Sequence, residues 1–151
     1  MQTILIFHSL LRWAVLLFGL ITVLRALMGV SGKGAYTNSD NKMNLFFMIS
    51  CDIQFLLGLI LFFAKDWFDN LKHIGTLDKY TRFFSLEHGA MMILAWIMVH
   101  VGRVAVKKAL TPAAKHKRSL IWFGLALVII LAAIPWPFRE TIARPLYQWF
   151  N

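Results

Sequence analysis

The sequence predicts an all-α integral membrane protein, a four-helix bundle with a short interfacial helix between its second and third spans. Apolar residues make up 59% of the chain and the mean hydropathy is +0.64, above the roughly 45–50% apolar usage of soluble domains. Four apolar runs, about 4–28, 45–64, 83–106 and 120–135, supply the length of about 20 residues that a bilayer crossing takes. They fill most of the chain, so 1–151 is expected to be a single four-span domain.

The first run, within MQTILIFHSLLRW and onward, has no basic stretch before it and carries Arg12 inside it. It is expected to be a retained span rather than a cleaved signal. His8 and Arg12 lie one turn apart on one face of that helix, whereas Arg25, near its far end, is expected to snorkel to the headgroups. The loop GVSGKGAYTNSDNK predicts a surface turn, with Ser39 or Asp40 capping the second span. Its glycine pair lacks the strand and spacing of a nucleotide motif. The second span places Asp52 and Gln54 among apolar residues. Between the second and third spans, Trp67, Phe68, Leu71 and Ile74 recur at helical spacing, which predicts a short amphipathic helix with His73 in solvent. KKALTPAAKHKR is expected to be a basic turn against anionic headgroups, His116 included. The fourth run has no ionisable group and stops at Pro135 and Pro137. Trp136, Tyr147, Trp149 and Phe150 are expected as interfacial anchors.

The formal charge of +9 does not point to nucleic acid, because the basic residues gather at helix ends. The loop after the third span carries Arg103, Lys107, Lys108, Lys115, Lys117 and Arg118 without an acid. With Lys33 and Lys42 this side becomes the cytoplasmic one by the positive-inside rule, and both termini fall on the opposite, periplasmic side. Cys51 is the single cysteine, so no internal disulfide forms, and without C-x-x-C-H no haem is attached covalently. Neither H-E-x-x-H nor G-x-S-x-G is present, so the chain shows no hydrolase signature.

The third run, FFSLEHGAMMILAWIMVHVGRVAV, is the most informative. It holds Glu87, His88 and His100 where an ionisable group costs about 2.5–3.5 kcal/mol on insertion scales. The first and third spans run in the same direction, and His8 and His88 lie at matched depth, about 7–8 Å below one surface. Two inward imidazoles on facing helices can hold a haem iron from both sides, with Arg12 toward a propionate or toward Glu87. The alternative is that both rings cap backbone carbonyls. His100 lies about 18 Å further along and about 120° around, so it cannot share that iron. It is expected near Asp52, as a proton relay or a structural pair. Met28, Met43 and Met48 leave open a second, His/Met-ligated haem at that end.

HSLLRW at 8–13, Glu87 and His88 followed by His100 and Arg103, and IPWPF at 134–138 resemble a group of small bacterial four-helix membrane proteins labelled cytochrome b-like. That resemblance implies an inner-membrane b-type haem protein of the respiratory or redox sort, with His8 and His88 as the axial ligands. It matches no second histidine pair for His100. The expected activity is electron transfer between a quinone pool and a redox partner. Two other readings stay open: a haem-free assembly subunit of a larger membrane complex, or a small proton-coupled transporter using Asp52, Glu87 and His100, completed by a homodimer.

Overall fold

The computed structural model describes residues 1–32 and 34–147. Lys33, Trp149 and Phe150 lie outside the described residues. Four helices are long and apolar enough to span a membrane: Gln2–Gly32, Asn38–Ala64, Lys79–Lys107 and Pro112–Ala133. The first two are α1 and α2. A one-turn helix α3 (Trp67–Asn70) and a 3₁₀ stretch (Leu71–Thr76) follow. The third span is composite, with α4 (Lys79–Arg82), a π-helical turn (Phe83–Glu87) and α5 (His88–Lys107), and α6 (Pro112–Ala133) completes the bundle.

The starts of α2, the third span and α6 extend beyond the apolar runs, and each of these starts is built on a cap. Thr37, not Ser39 or Asp40, is the N-cap of α2. Its hydroxyl and the Asp40 carboxylate form a reciprocal capping box, so Asp40 is the third helical residue. Arg25 does not snorkel: its Nε donates to Asp40 Oδ1 at 2.8 Å, a partner hidden from the sequence because it comes from the next helix. The stretch expected as a basic turn is largely the start of α6. Thr111 caps it through the Ala114 N–H, and Pro112 takes the first helical position. Lys115 then lies over the Tyr36 ring. His116 is buried rather than solvated, edge-on to Tyr36 and 3.3 Å from the Ala35 carbonyl. Tyr36, between the spans, has its hydroxyl pushed above its ordinary pKa, chiefly by burial.

The four spans form a closed ring in which α1 packs on α2, α2 on α5, α5 on α6, and α6 back on α1. Consequently α1 and α5 stand on the diagonal. Val15, Phe47, Ala95, Val99, Phe123, Ala126 and Ile130 fill the core, while Leu17, Leu20, Leu24, Leu56, Leu125 and Val128 point outward, as a lipid-facing surface requires. Small residues let the helices close. A Cβ on Gly102 would fall 2.6 Å from Trp122 Cβ, and one on Gly29 would fall 2.3 Å from the His116 ring.

At one end, polar groups from all four spans bond one another, with Thr22 Oγ1 and Arg103 Nε left unpaired. Asn44 donates to Tyr36 and Ser119, and Arg103 Nη1 donates to the Asn41 side-chain oxygen at 2.7 Å. Tyr36, Asp40, Met43, Asn44 and His116 pack closely together at this end. At the other end, α6 stops after Ala133 and Arg139 donates to the freed Ala132 carbonyl. The tail folds back to bury Ile142 on Phe83 and Phe84. Trp136 donates to Leu131 O, and Tyr147 stacks on Trp13, so both bind the bundle itself.

Gly29→Ala is expected to destabilise the protein by about 1–3 kcal/mol, the range for overpacking. A double-mutant cycle with His116→Ala, read by thermal melting in detergent, should remove most of that penalty. Additive effects would mean that α1 and α6 do not meet there.

Candidate functional site

The uncapped end contains a cavity of about 360 Å³ inside the ring. Its size follows from the diagonal arrangement, since α1 and α5 have no shared packing face to close it. His8, Ser9 and Arg12 enter from α1. Cys51, Gln54, Phe55 and Gly58 enter from α2, and His88, Met92, Ala95 and Trp96 from α5. Ile130 and Ile134 form the α6 side, and Trp67, Phe84 and Arg144 lie over the mouth. His8 and His88, expected at a common depth, therefore line the same space from opposite helices.

The two imidazoles are held differently. His88 Nδ1 lies 2.9 Å from the carbonyl of Ala133, one of the last four α6 carbonyls, which have no helical partner. A carbonyl only accepts, so Nδ1 carries the proton and Nε2 keeps the lone pair. This is the tautomer of a metal-ligating histidine whose other nitrogen is anchored to the protein. The carbonyl-capping role and the ligand role are thus compatible in one ring. His8 Nδ1 is buried without a partner, although the His8 carbonyl accepts from Gln54 Nε2 at 3.0 Å. Its ring sits in a cradle left by Gly58, where a Cβ would lie 3.2 Å from His8 Cε1.

Unpaired polar atoms concentrate around this cavity. Ser9 Oγ, Arg12 Nε, Gln54 Oε1 and Arg144 Nε are buried without partners, like His8 Nδ1. Each such atom costs about 1–3 kcal/mol, and Trp13 Nε1, Thr22 Oγ1 and Arg103 Nε, which do not line the cavity, are unpaired as well. Arg12 Nη2 donates to the Leu146 carbonyl at 2.5 Å. Among the described residues, no carboxylate pairs with Arg12 or Arg144. Lys65, at the end of α2, has its amine held below its ordinary pKa by burial and then by the charge of Arg144. The mouth is therefore cationic with no internal counter-ion.

Glu87 does not meet Arg12. It takes the Arg82 Nε hydrogen bond at 3.0 Å, with both side chains more than 40% exposed. The π turn Phe83–Glu87 ends at this residue, and a wide turn of this kind changes which residue the helix presents inward. Asp52 and His100 lie apart from the cavity and touch each other, with His100 Nε2 3.2 Å from Asp52 Oδ1. Trp96 Nε1 donates to the same oxygen at 2.7 Å. Arg144, Gly58, Trp96 and the π turn escaped the sequence reading. Only Arg144 carried a signal, as a cation beside Pro145 in a tail too polar for an anchor alone.

Comparison with protein families, characterised proteins and solved structures gives no match. Fold and site together define a membrane protein built as a four-helix bundle with an internal, cation-rimmed cavity. Among the described residues no three His, Cys, Asp or Glu side chains converge on one point, so the donor set does not fit a bare metal ion.

His88→Ala is expected to cost about 1–3 kcal/mol because the Ala133 carbonyl loses its donor. His8→Ala should be near neutral, since its ring nitrogen has no partner to lose. Thermal melting of both variants checks the contrast, and equal losses would show that His8 is bonded.

Proposed function

We propose that this chain is a b-type haem protein of the bacterial inner membrane, passing electrons between a quinone pool and a redox partner. Both termini would be periplasmic, as the excess of basic residues in the opposite loops favours. The observation that carries the reading is that His8 and His88, from diagonal helices, line one cavity around which the unpaired buried polar atoms gather.

His8 and His88 would hold the group axially, and haem when bound supplies the redox chemistry. His88 is oriented by its bond to the Ala133 carbonyl, which fixes its ring and keeps the lone pair on Nε2. Gly58 keeps the space beside the His8 ring open. Arg12 and Arg144 present guanidinium groups to an anionic edge, suited to propionates. Phe55, Phe84 and Trp96 supply flat apolar walls that exclude water. The resemblance of HSLLRW, the Glu87–His88 pair and IPWPF to cytochrome b-like membrane proteins supports the same assignment.

The purified protein should show a Soret band and a reduced α-band with dithionite. His8→Ala and His88→Ala should each abolish the bis-histidine spectrum, and Gly58→Leu should do so by filling the ring cradle. Arg12→Gln and Arg144→Gln should weaken haem retention by about tenfold each, the loss of one charge-assisted bond of at least about 1.4 kcal/mol. A folded, colourless protein that takes up no added haem would overturn the proposal in favour of an assembly subunit.

A further inference from the structure

Two guanidinium groups in the cavity wall are held by their faces. Arg12 Cζ lies 5.4 Å from the centroid of the Trp13 ring, and Arg144 Cζ lies 4.9 Å from that of Phe84 and 5.3 Å from that of Tyr80. Stacking engages the flat face of a guanidinium and leaves its in-plane N–H groups to find oxygen acceptors. Arg12 meets part of that need at the Leu146 carbonyl, but Nε of both arginines is buried without a partner. A guanidinium only donates and keeps its charge in a protein. Among the described residues no carboxylate pairs with either, and Lys65, over the Trp67 ring at the same mouth, adds a third cation. The complement to this set is an oxyanion.

The rest of the cavity describes the body attached to that anion. One to two turns inward from Arg12, Gln54 and His88, about 5–10 Å, the lining becomes Val15, Cys51, Ala95 and Ile130, one residue from each span and none charged. Charge toward the membrane surface and hydrocarbon toward its middle is the order of groups in a lipid leaflet, which singles out a lipid among anions. The volume of about 360 Å³ is near the lower end of the roughly 300–1,000 Å³ of ligand pockets and suits one acyl chain. Leu59, Leu86 and Ile93 line the cavity and are also exposed, so its wall is continuous with the lipid-facing surface, and a chain can enter without crossing water.

We propose that the cavity binds an anionic lipid of the surrounding leaflet, its headgroup oxyanion held by Arg12 and Arg144 and one acyl chain lying inward along Val15, Cys51 and Ala95. This does not rest on the haem reading. The two ligands would share the space, so the lipid occupies it in a chain that carries no haem, and haem enters by exchange.

The test uses the full chain produced in haem-starved cells, purified in detergent and titrated with cis-parinaric acid, a fluorescent fatty-acid carboxylate. Saturable binding is expected, displaced by oleate or phosphatidylglycerol and not by inorganic phosphate or neutral monoolein. The better of the two competitors tells whether a carboxylate or a phosphate is the native head. Arg12→Gln and Arg144→Gln should each weaken binding by about tenfold, the loss of one charge-assisted bond. Arg144→Lys, which keeps the charge, should lose less, and Met92→Trp should abolish binding by filling the inner part. Thermal melting reports the folding of each variant. As a second measurement, lipid extracted from the purified wild type should be enriched in anionic species by mass spectrometry. Displacement by phosphate alone, equal displacement by monoolein, or binding unchanged in both arginine variants would overturn the proposal. Parinarate binding in a protein that takes up no added haem would sink the haem reading and leave the lipid site standing. Haem uptake without parinarate binding would do the reverse.

Discussion

Every polar group inside a bilayer must find its partner within the protein or its ligand, because no water is there to serve, and this constraint divides the molecule into two unlike ends. Around Asn44, Asp40 and Ser119 most of the demand is met by neighbours, although Thr22 Oγ1 and Arg103 Nε stay unpaired. Around His8 and His88 it is not met. There the chain spends a ring of buried nitrogen and oxygen atoms on an opening, although three of the four walls offer helices near enough to have filled it. A bundle stitched only for stability would have no reason to keep both arrangements.

The diagonal relation of α1 and α5 produces the opening. In a closed ring of four, adjacent helices interlock, and the two that face across the middle are kept apart by what lies between them. In the lower half of the bundle Val99, Phe123 and Ala126 occupy that middle. Among the residues that line the cavity, Ser9, Gly58 and Ala95 are small. The π turn before His88 and the short helix at Trp67 finish the cavity from above.

Charge follows the same division. Arg25 is paired with Asp40 and Arg82 with Glu87, while Arg12 and Arg144 keep unpaired nitrogens beside the histidines. An amphipathic anion with a broad apolar body matches this pattern: guanidinium groups at one edge, aromatic walls below. One ring nitrogen of His88 anchors the end of α6 at the Ala133 carbonyl, and the same ring lines the cavity. The Asp52–His100 pair meets the constraint differently, each side chain lying against the other while Trp96 Nε1 donates to Asp52.

The amino-acid sequence by itself determined the all-α class, the number of spans and the short helix before the third span, since these follow from apolar run length and local periodicity. It also singled out His8, His88, Arg12, Asp52 and His100, because ionisable residues stand out against an apolar background. Helix ends were less legible. The Thr37 and Thr111 caps sit in stretches whose composition resembles a loop, and the caps become visible only once the hydrogen bonds form. Apart from the Asp52–His100 contact, expected from matched depth, pairing belonged to the tertiary structure. Arg25 with Asp40, Glu87 with Arg82, and His88 with the Ala133 carbonyl join residues whose proximity depends on which helices are neighbours and how each is rotated. One-dimensional spacing carries the depth of a residue in the membrane, but not what stands opposite it.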